Sequence, residues 1–305
     1  MPFFSIILPT FNRAHMLPVA IASLIGQTYD DWELIIVDDG STDNTKAVVD
    51  DFNESRILYK WQENQERSAA RNAGIKIAKG RYICFLDSDD YFLSNHLSNL
   101  YKKIEKKEFP ESVFMTGLKK CEINGTLLSI TNPLPERENL HIFILENFLT
   151  VPSQSLAVRR TIFSKHRFPP NFSLWEDTHL WIRVLSEYAL FNIEHPSVVI
   201  VSHAGSGINA GVEQVLLQTV CAYKNAVDDL FKDHLKGETN VESLKTNYLD
   251  SKFRMLLYYA RQNRQFLTAF QILQMALGNK PSSYLISELA KIPLNYIGIG
   301  LNRDT

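Results

Sequence analysis

Along the first hundred residues the apolar positions alternate between two spacings. Short unbroken apolar runs read as strands covered on both faces, and they are separated by stretches in which apolar residues recur every three or four positions, as on one face of a helix. This predicts strands at Ser5–Leu8, Glu33–Val37, Ile57–Trp61 and Tyr82–Leu86. Helices are predicted at Met16–Ile25, Thr45–Phe52 and Ser68–Ala78, the last closed by Gly80. That order implies right-handed βαβ units and a parallel sheet. Between about 112 and 130 the pattern becomes β-rich, and Asn124-Gly125 between two such segments signals a hairpin. A later apolar strand ends at His203. In "FSLWEDTHLWIR", Leu180, Trp181, Val184 and Leu185 follow helical spacing. From about 211 the chain reads as almost wholly helical, interrupted at Pro281 and Pro293, and "HAGSGINAG" supplies turn-prone residues before it. The expected organisation is therefore an α/β domain over 1–210 and a helical region over 211–305.

The strand ends carry the chemistry. The first strand finishes in "PTFNR", the second in "DDGSTDNT" and the fourth in "DSDD", so three polar clusters are expected at one edge of the sheet. In open α/β sheets that edge is where ligands bind. The stretch "RYICFLDSDDYF" delivers Asp87, Asp89 and Asp90 to one point, and clustered carboxylates repel unless a cation or hydrogen-bond donors compensate them. A metal ion is the economical explanation. In "DDGSTDNT", Gly40 permits a tight turn, Ser41 or Thr42 is suited to cap the next helix, and Asp43 suits its first turn. Capping leaves Asp38 and Asp39 unexplained.

Composition narrows the class. With 305 residues, 45% hydrophobic and 22% charged, the chain is long enough for one large core and a smaller appendage. A formal charge of −2 gives no electrostatic case for binding nucleic acid. Cys84, Cys121 and Cys221 are odd in number, far apart and without CxxC spacing. Neither a disulfide framework nor a thiolate zinc site is expected, and a reducing cytoplasmic setting fits. The apolar start "MPFFSIILPT" lacks a basic segment and a cleavage site and reads as a strand. "LPTFNRAH" has no glycine where a dinucleotide fingerprint requires G-x-G-x-x-G, and no GxxxxGK[ST] occurs.

The segments "SIILPTFNR", "IIVDDGSTDNT", "RSAARNAGIKIAKGRYICFLDSDD" and "WEDTHLW", in this order and at these separations, resemble the family 2 inverting glycosyltransferases with the GT-A fold. The likeness covers residues 4 to about 205. It implies a Rossmann-like, mostly parallel sheet flanked by helices, and transfer of a sugar from a nucleotide diphosphate sugar to an acceptor hydroxyl with Mn²⁺ or Mg²⁺. By the same resemblance the donor is held by Pro9, Thr10, Phe11, Arg13, Asp38, Asp39, Arg71, Asp87 and Ser88. Phe11 matches the aromatic on which the base stacks, and Asp39 the acid that accepts from the base imide N–H. Arg71 contacts base or diphosphate, and Asp87 the ribose. Asp89 matches the metal ligand, and His203 a histidine that some relatives place on the same metal. Asp90 has no part in this scheme and is expected at the solvated surface. The acceptor implied is a saccharide or lipid-linked saccharide, which adds peripheral contact with the inner face of the membrane to the expected cytoplasmic location.

The catalytic candidates are Glu176 and Asp177. Ser173-x-x-Glu176 fits a capping box, which gives Glu176 a structural explanation. Asp177 has none, and an inverting transfer needs one carboxylate to take the acceptor proton. Asp177 is therefore the expected base. Two alternatives compete. A haloacid-dehalogenase-like phosphatase also has D-x-D, but after its first strand and followed by Thr or Val where this chain has Tyr91. A non-catalytic sugar-nucleotide-binding module of the same fold would usually have lost an acid, whereas Asp39, Asp87, Asp89 and Asp177 are all present.

Overall fold

The structure is a computed structural model. It describes residues 1–169, 175–203, 227–228, 230–232 and 241–262, with side chains in the last segment described to residue 255. The chain divides into two compact units. The first comprises Met1–His141 and Thr150–His203, and the described residues of the second are Ile142–Leu149 and those beyond 226.

Four strands, β1 (Phe4–Thr10), β2 (Trp32–Asp38), β3 (Ile57–Trp61) and β4 (Tyr82–Phe85), alternate with helices α1 (Leu17–Ile25), α2 (Thr45–Asp50) and α3 (Glu66–Ile77). All four strands run parallel, in the order β3-β2-β1-β4, because each helix carries the chain back to begin the next strand in the same direction. Burial explains their composition. Phe4, Ile6, Ile7, Leu8, Leu34, Ile35, Ile36 and all of Tyr82–Phe85 are inaccessible, as expected of strands covered on both faces. Helix α3 lies close to the sheet at Gly74, where a Cβ would stand 2.6 Å from Ile7 Cγ2.

Beyond β4 the sheet becomes mixed. After β5 (Tyr91–Phe92) and α4 (His96–Lys106) come β6 (Val113–Glu122) and β7 (Leu127–Thr131), then α5 (Leu140–Glu146), β8 (Leu156–Arg159), α6 (Glu176–Glu187) and β9 (Leu190–Ser202). Strand β8 is antiparallel to both β4 and β6, while β6 runs parallel to β9 and β5 antiparallel to it. The parallel arrangement expected from the first hundred residues thus holds for four strands and gives way to a mixed half. The β6–β7 hairpin turns through Gly125 at φ +86°, a conformation that glycine adopts without steric cost.

In the second unit, α7 (Val241–Gln262) buries Tyr248, Leu249 and Phe253, and Lys245 Nζ pairs with Asp228 Oδ1 at 2.5 Å. The segment "AGSGINAG" after His203, most of the run to 240, Cys221, Pro281 and Pro293 lie outside the described residues.

Candidate active site

The C-terminal ends of the parallel strands lie side by side, because the register aligns Thr10 of β1 with Asp38 of β2 and Asp38 with Trp61 of β3. The next residues, Phe11, Asp39 and Gln62, therefore follow in a row. Phe11 is 46% exposed, so its ring is a free face at the edge rather than core. Asp39 is buried, and its carboxylate accepts from Gln62 Nε2 at 2.7 Å and from the backbone N–H of Gln65 at 3.0 Å. Asp38 is committed to the fold. It accepts from the Ser41 N–H at 2.8 Å and from the Tyr59 hydroxyl at 2.5 Å. Thr10 is buried beside it, and Pro9 is half-buried.

The loops after β1 and β2 brace each other. Asn12, at φ 52°, receives Thr42 N–H on its Oδ1 at 2.8 Å and gives its own N–H to Ser41 Oγ at 2.8 Å. Neither Ser41 nor Thr42 caps α2, contrary to expectation. The N-cap is Asn44, and Asp43 receives the N–H of Thr45 at 3.1 Å and of Ala14 at 3.0 Å. The bracing between loops takes up the side chains that local pattern assigns to capping.

After β4 the acids separate by environment. Asp87 Oδ1 accepts from Arg71 Nη2 at 2.9 Å, and its Oδ2 from Gln154 Nε2 at 2.5 Å. Asp89 Oδ2 lies 2.6 Å from Arg13 Nη1 and 2.9 Å from His203 Nε2. Burial pushes its pKa up, but the contact with His203 and the charge of Arg13 outweigh this and hold it below the usual carboxylate range. Asp90 is not solvated, contrary to expectation. It is 3% exposed, accepts the Val201 N–H at 3.0 Å, and is reached by Gln154 Nε2 at 3.3 Å. Its burial, with the charges of Asp87 and Asp89 nearby, raises its pKa well above normal. It fastens the acidic loop to β9, the strand that delivers His203. Ser88 is buried between them.

Arg71, on α3, is 3% exposed and sits at the centre of an ionic network. Its Nη1 is 2.7 Å from Glu176 Oε1 while its Nη2 holds Asp87, and its guanidinium lies over the Phe168 ring at 5.3 Å. Burial acts against its charge, but Asp87, Glu176 and Asp177 raise its pKa further above the normal arginine value.

The capping box expected at the start of α6 includes Ser173. The N-cap is Trp175 at φ 57°, with no side-chain cap hydrogen bond, and Ser173 lies outside the described residues. Glu176 is therefore the first helical residue, and its buried carboxylate is spent on Arg71. Asp177 differs. It is half-buried, its Oδ1 accepts the Thr178 N–H at 2.6 Å, and burial with the adjacent Glu176 charge pushes its pKa up to about 6, against the opposing pull of Arg71. The network Asp87–Arg71–Glu176 thus ties the acidic loop to the residue preceding Asp177. Trp181, one turn on, is fully buried and donates to Ser153 Oγ at 3.1 Å.

Three residues outside the sequence-derived set belong to this site. Gln62 holds Asp39, Gln65 gives Asp39 a backbone donor, and Gln154 joins Asp87 to Asp90. A lone glutamine has no spacing signature, so no local signal marked them.

A sheet of this topology with acidic loops at its strand ends defines a glycosyltransferase of the GT-A fold. The chain belongs to glycosyl transferase family 2, whose model matches residues 5–166. Among its relatives is the UDP-Glc:alpha-D-GlcNAc-diphosphoundecaprenol beta-1,3-glucosyltransferase WfgD of Escherichia coli, 33% identical over 184 residues that cover 60% of this chain and 70% of that protein. The GalNAc(5)-diNAcBac-PP-undecaprenol beta-1,3-glucosyltransferase of Campylobacter jejuni is 28% identical over 310 residues, covering 97% of this chain and 96% of that one. The match to an uncharacterized glycosyltransferase of Rickettsia bellii spans only 27% of that longer protein. The structure of Staphylococcus aureus TarS residues 1–349 in complex with UDP-GlcNAc superimposes with a TM-score of 0.71 at 18% identity, covering 92% of this chain and 82% of that one.

Proposed function

We propose that this chain moves a sugar from a UDP-sugar to a hydroxyl of a lipid-linked saccharide, with inversion at the anomeric carbon and with the help of Mn²⁺ or Mg²⁺. The observation that carries this reading is the contrast at the start of α6. Glu176 is buried and neutralised by Arg71, whereas Asp177 beside it is half-buried and has a pKa raised to about 6. A carboxylate of that basicity is ionised at neutral pH and is still a better proton acceptor than an ordinary aspartate.

The other residues divide the donor between them. The exposed Phe11 ring offers a stacking face for the base. Asp39 is oriented by Gln62 and Gln65, and takes the imide N–H of uracil. Asp87, oriented by Arg71 and Gln154, takes the ribose hydroxyls. Arg13, with Pro9, Thr10 and Ser88 near the same edge, faces the diphosphate.

Asp89 and His203 contact each other and would offer a divalent cation one oxygen and one nitrogen donor, with Arg13 beside the same Asp89 oxygen. Among the described residues no group of three such side chains occurs. When bound, the cation supplies Lewis-acid stabilisation of the leaving diphosphate. Asp177 takes the proton of the acceptor hydroxyl as its oxygen bonds to the anomeric carbon. The bond from that carbon to the diphosphate breaks, and UDP leaves with the electron pair.

The activities of WfgD and of the Campylobacter jejuni enzyme support a glucosyl donor and an undecaprenol-linked acceptor. Such an acceptor brings the protein to a membrane surface. Among the described residues no helix is long and apolar enough to cross one, and peripheral contact at the inner face is the arrangement proposed. The test is a pair of variants assayed with UDP-glucose and a diphosphoundecaprenol-linked saccharide. Asp177→Asn should lower kcat by roughly 10² to 10⁴ while leaving UDP affinity within a few fold. Near-normal transfer by that variant would remove Asp177 from the role of base.

A further inference from the structure

The acids after β4 and the helix α6 that bears Asp177 lie far apart in sequence, yet one short stretch touches both. Gln154, half-buried in the 3₁₀ turn Ser153–Ser155, donates through Nε2 to Asp87 Oδ2 at 2.5 Å and to Asp90 Oδ2 at 3.3 Å. In the same stretch Ser153 Oγ accepts from Trp181 Nε1 at 3.1 Å, and the Val151 N–H reaches Thr178 Oγ1 at 3.2 Å, next to Asp177. A carboxamide nitrogen carries two hydrogens, so it can serve one oxygen of each aspartate. Asp87 then has one donor on each oxygen, Arg71 on one and Gln154 on the other, which fixes the plane of its carboxylate.

We propose that Gln154 is a positioning residue of the donor site. It aims Asp87 at the donor ribose and ties the acidic loop to the turn on which the base-bearing helix rests. This rests on the donor-site reading above and adds a residue to it. The specific requirement is for an N–H donor at this place, which distinguishes positioning from space filling.

The test uses the full chain and UDP with Mg²⁺ as the probe, titrated calorimetrically, with unfolding temperatures recorded in parallel. Gln154→Leu should weaken UDP binding about tenfold or more, as expected when a hydrogen bond to a charged group is lost. In transfer assays its donor KM should rise while kcat at saturating donor stays within a few fold. Gln154→Glu, which keeps the shape but places a third carboxylate against Asp87 and Asp90, should bind UDP more weakly still. UDP affinity in Gln154→Leu within twofold of the parent overturns the inference, even if the unfolding temperature drops. Gln154→Glu binding better than Gln154→Leu overturns it too, because shape would then be the contribution. Should the glutamate variant not fold, the leucine variant decides alone. A parent chain that binds no UDP overturns the donor-site reading and this inference with it, a result distinct from parent binding that Gln154→Leu leaves intact.

Discussion

Glu176 and Asp177 are adjacent acids with opposite fates, and the difference is a partner 105 positions away in the chain. Glu176 reads locally as a capping residue, since S-x-x-E is a sufficient pattern, but its carboxylate pairs with Arg71 at 2.7 Å. Breaking a buried pair leaves the other charge uncompensated, at a cost of roughly 3 to 5 kcal/mol. Glu176→Gln is therefore expected to lower stability substantially, and chemical denaturation measures it. A change below about 1 kcal/mol would mean that Asp87 alone compensates Arg71. Asp177 makes a second prediction. Its pKa is raised in the folded chain, so the acid limb of the kcat profile should fall below about pH 6. The sign for stability is the reverse of a salt-bridged acid. A carboxyl that holds its proton more tightly when folded contributes stability at low pH that is lost as pH rises from roughly 3.9 through about 6. Asp177→Asn should thus melt higher than the parent at pH 8, with the gap closing towards pH 4. Asp90 shows the same lesson as Glu176. Nothing local distinguishes it from a solvated loop acid, and the Val201 N–H and Gln154 that bury it come from elsewhere in the chain.

At the scale of elements, β1, β2 and β4 were legible because they are covered on both faces, the helices between because each buries one periodic stripe, and the half-exposed edge strand β3 from its short apolar run alone. The pattern that buries Tyr82–Phe85 is visible in those residues alone. In the second half β5, of two residues, and β8, of four, were not read from the sequence. The parallel pairing of β6 with β9 joins Val113 to Leu190, a contact that no local pattern encodes. The hairpin turn was legible, because Asn-Gly reports its own backbone conformation. The joint between α3 and β4 gives an element-scale prediction. A Cβ at Gly80 would stand 2.4 Å from the Ser5 backbone nitrogen and 2.6 Å from its Oγ, and backbone does not yield as a side chain does. Gly80→Ala should cost on the order of 1 to 3 kcal/mol by forcing β1 and this turn apart, read as a drop in denaturation midpoint at unchanged slope.

For the molecule as a whole, the site is an edge assembled from β1, β2, β4, β9 and α6, and its residue types were more legible than its wiring. Phe11, Asp39, Asp89, Asp177 and His203 stand out by motif, whereas Gln62 and Gln154 are apparent only once the chain is folded. If Asp39 reads the base through an imide N–H, UDP should raise the unfolding temperature more than ADP in the presence of Mn²⁺, because adenine has no such donor and ligand affinity adds directly to stability. Equal shifts would leave Asp39 as a turn residue held by Gln62. The central claim, direct in-line transfer with Asp177 as base, is tested most directly by the anomeric configuration of the product formed by the full chain from an α-linked UDP-sugar. A β-linked product, read from its anomeric proton coupling, is the predicted result. An α-linked product would contradict the account, since a single displacement inverts the anomeric carbon.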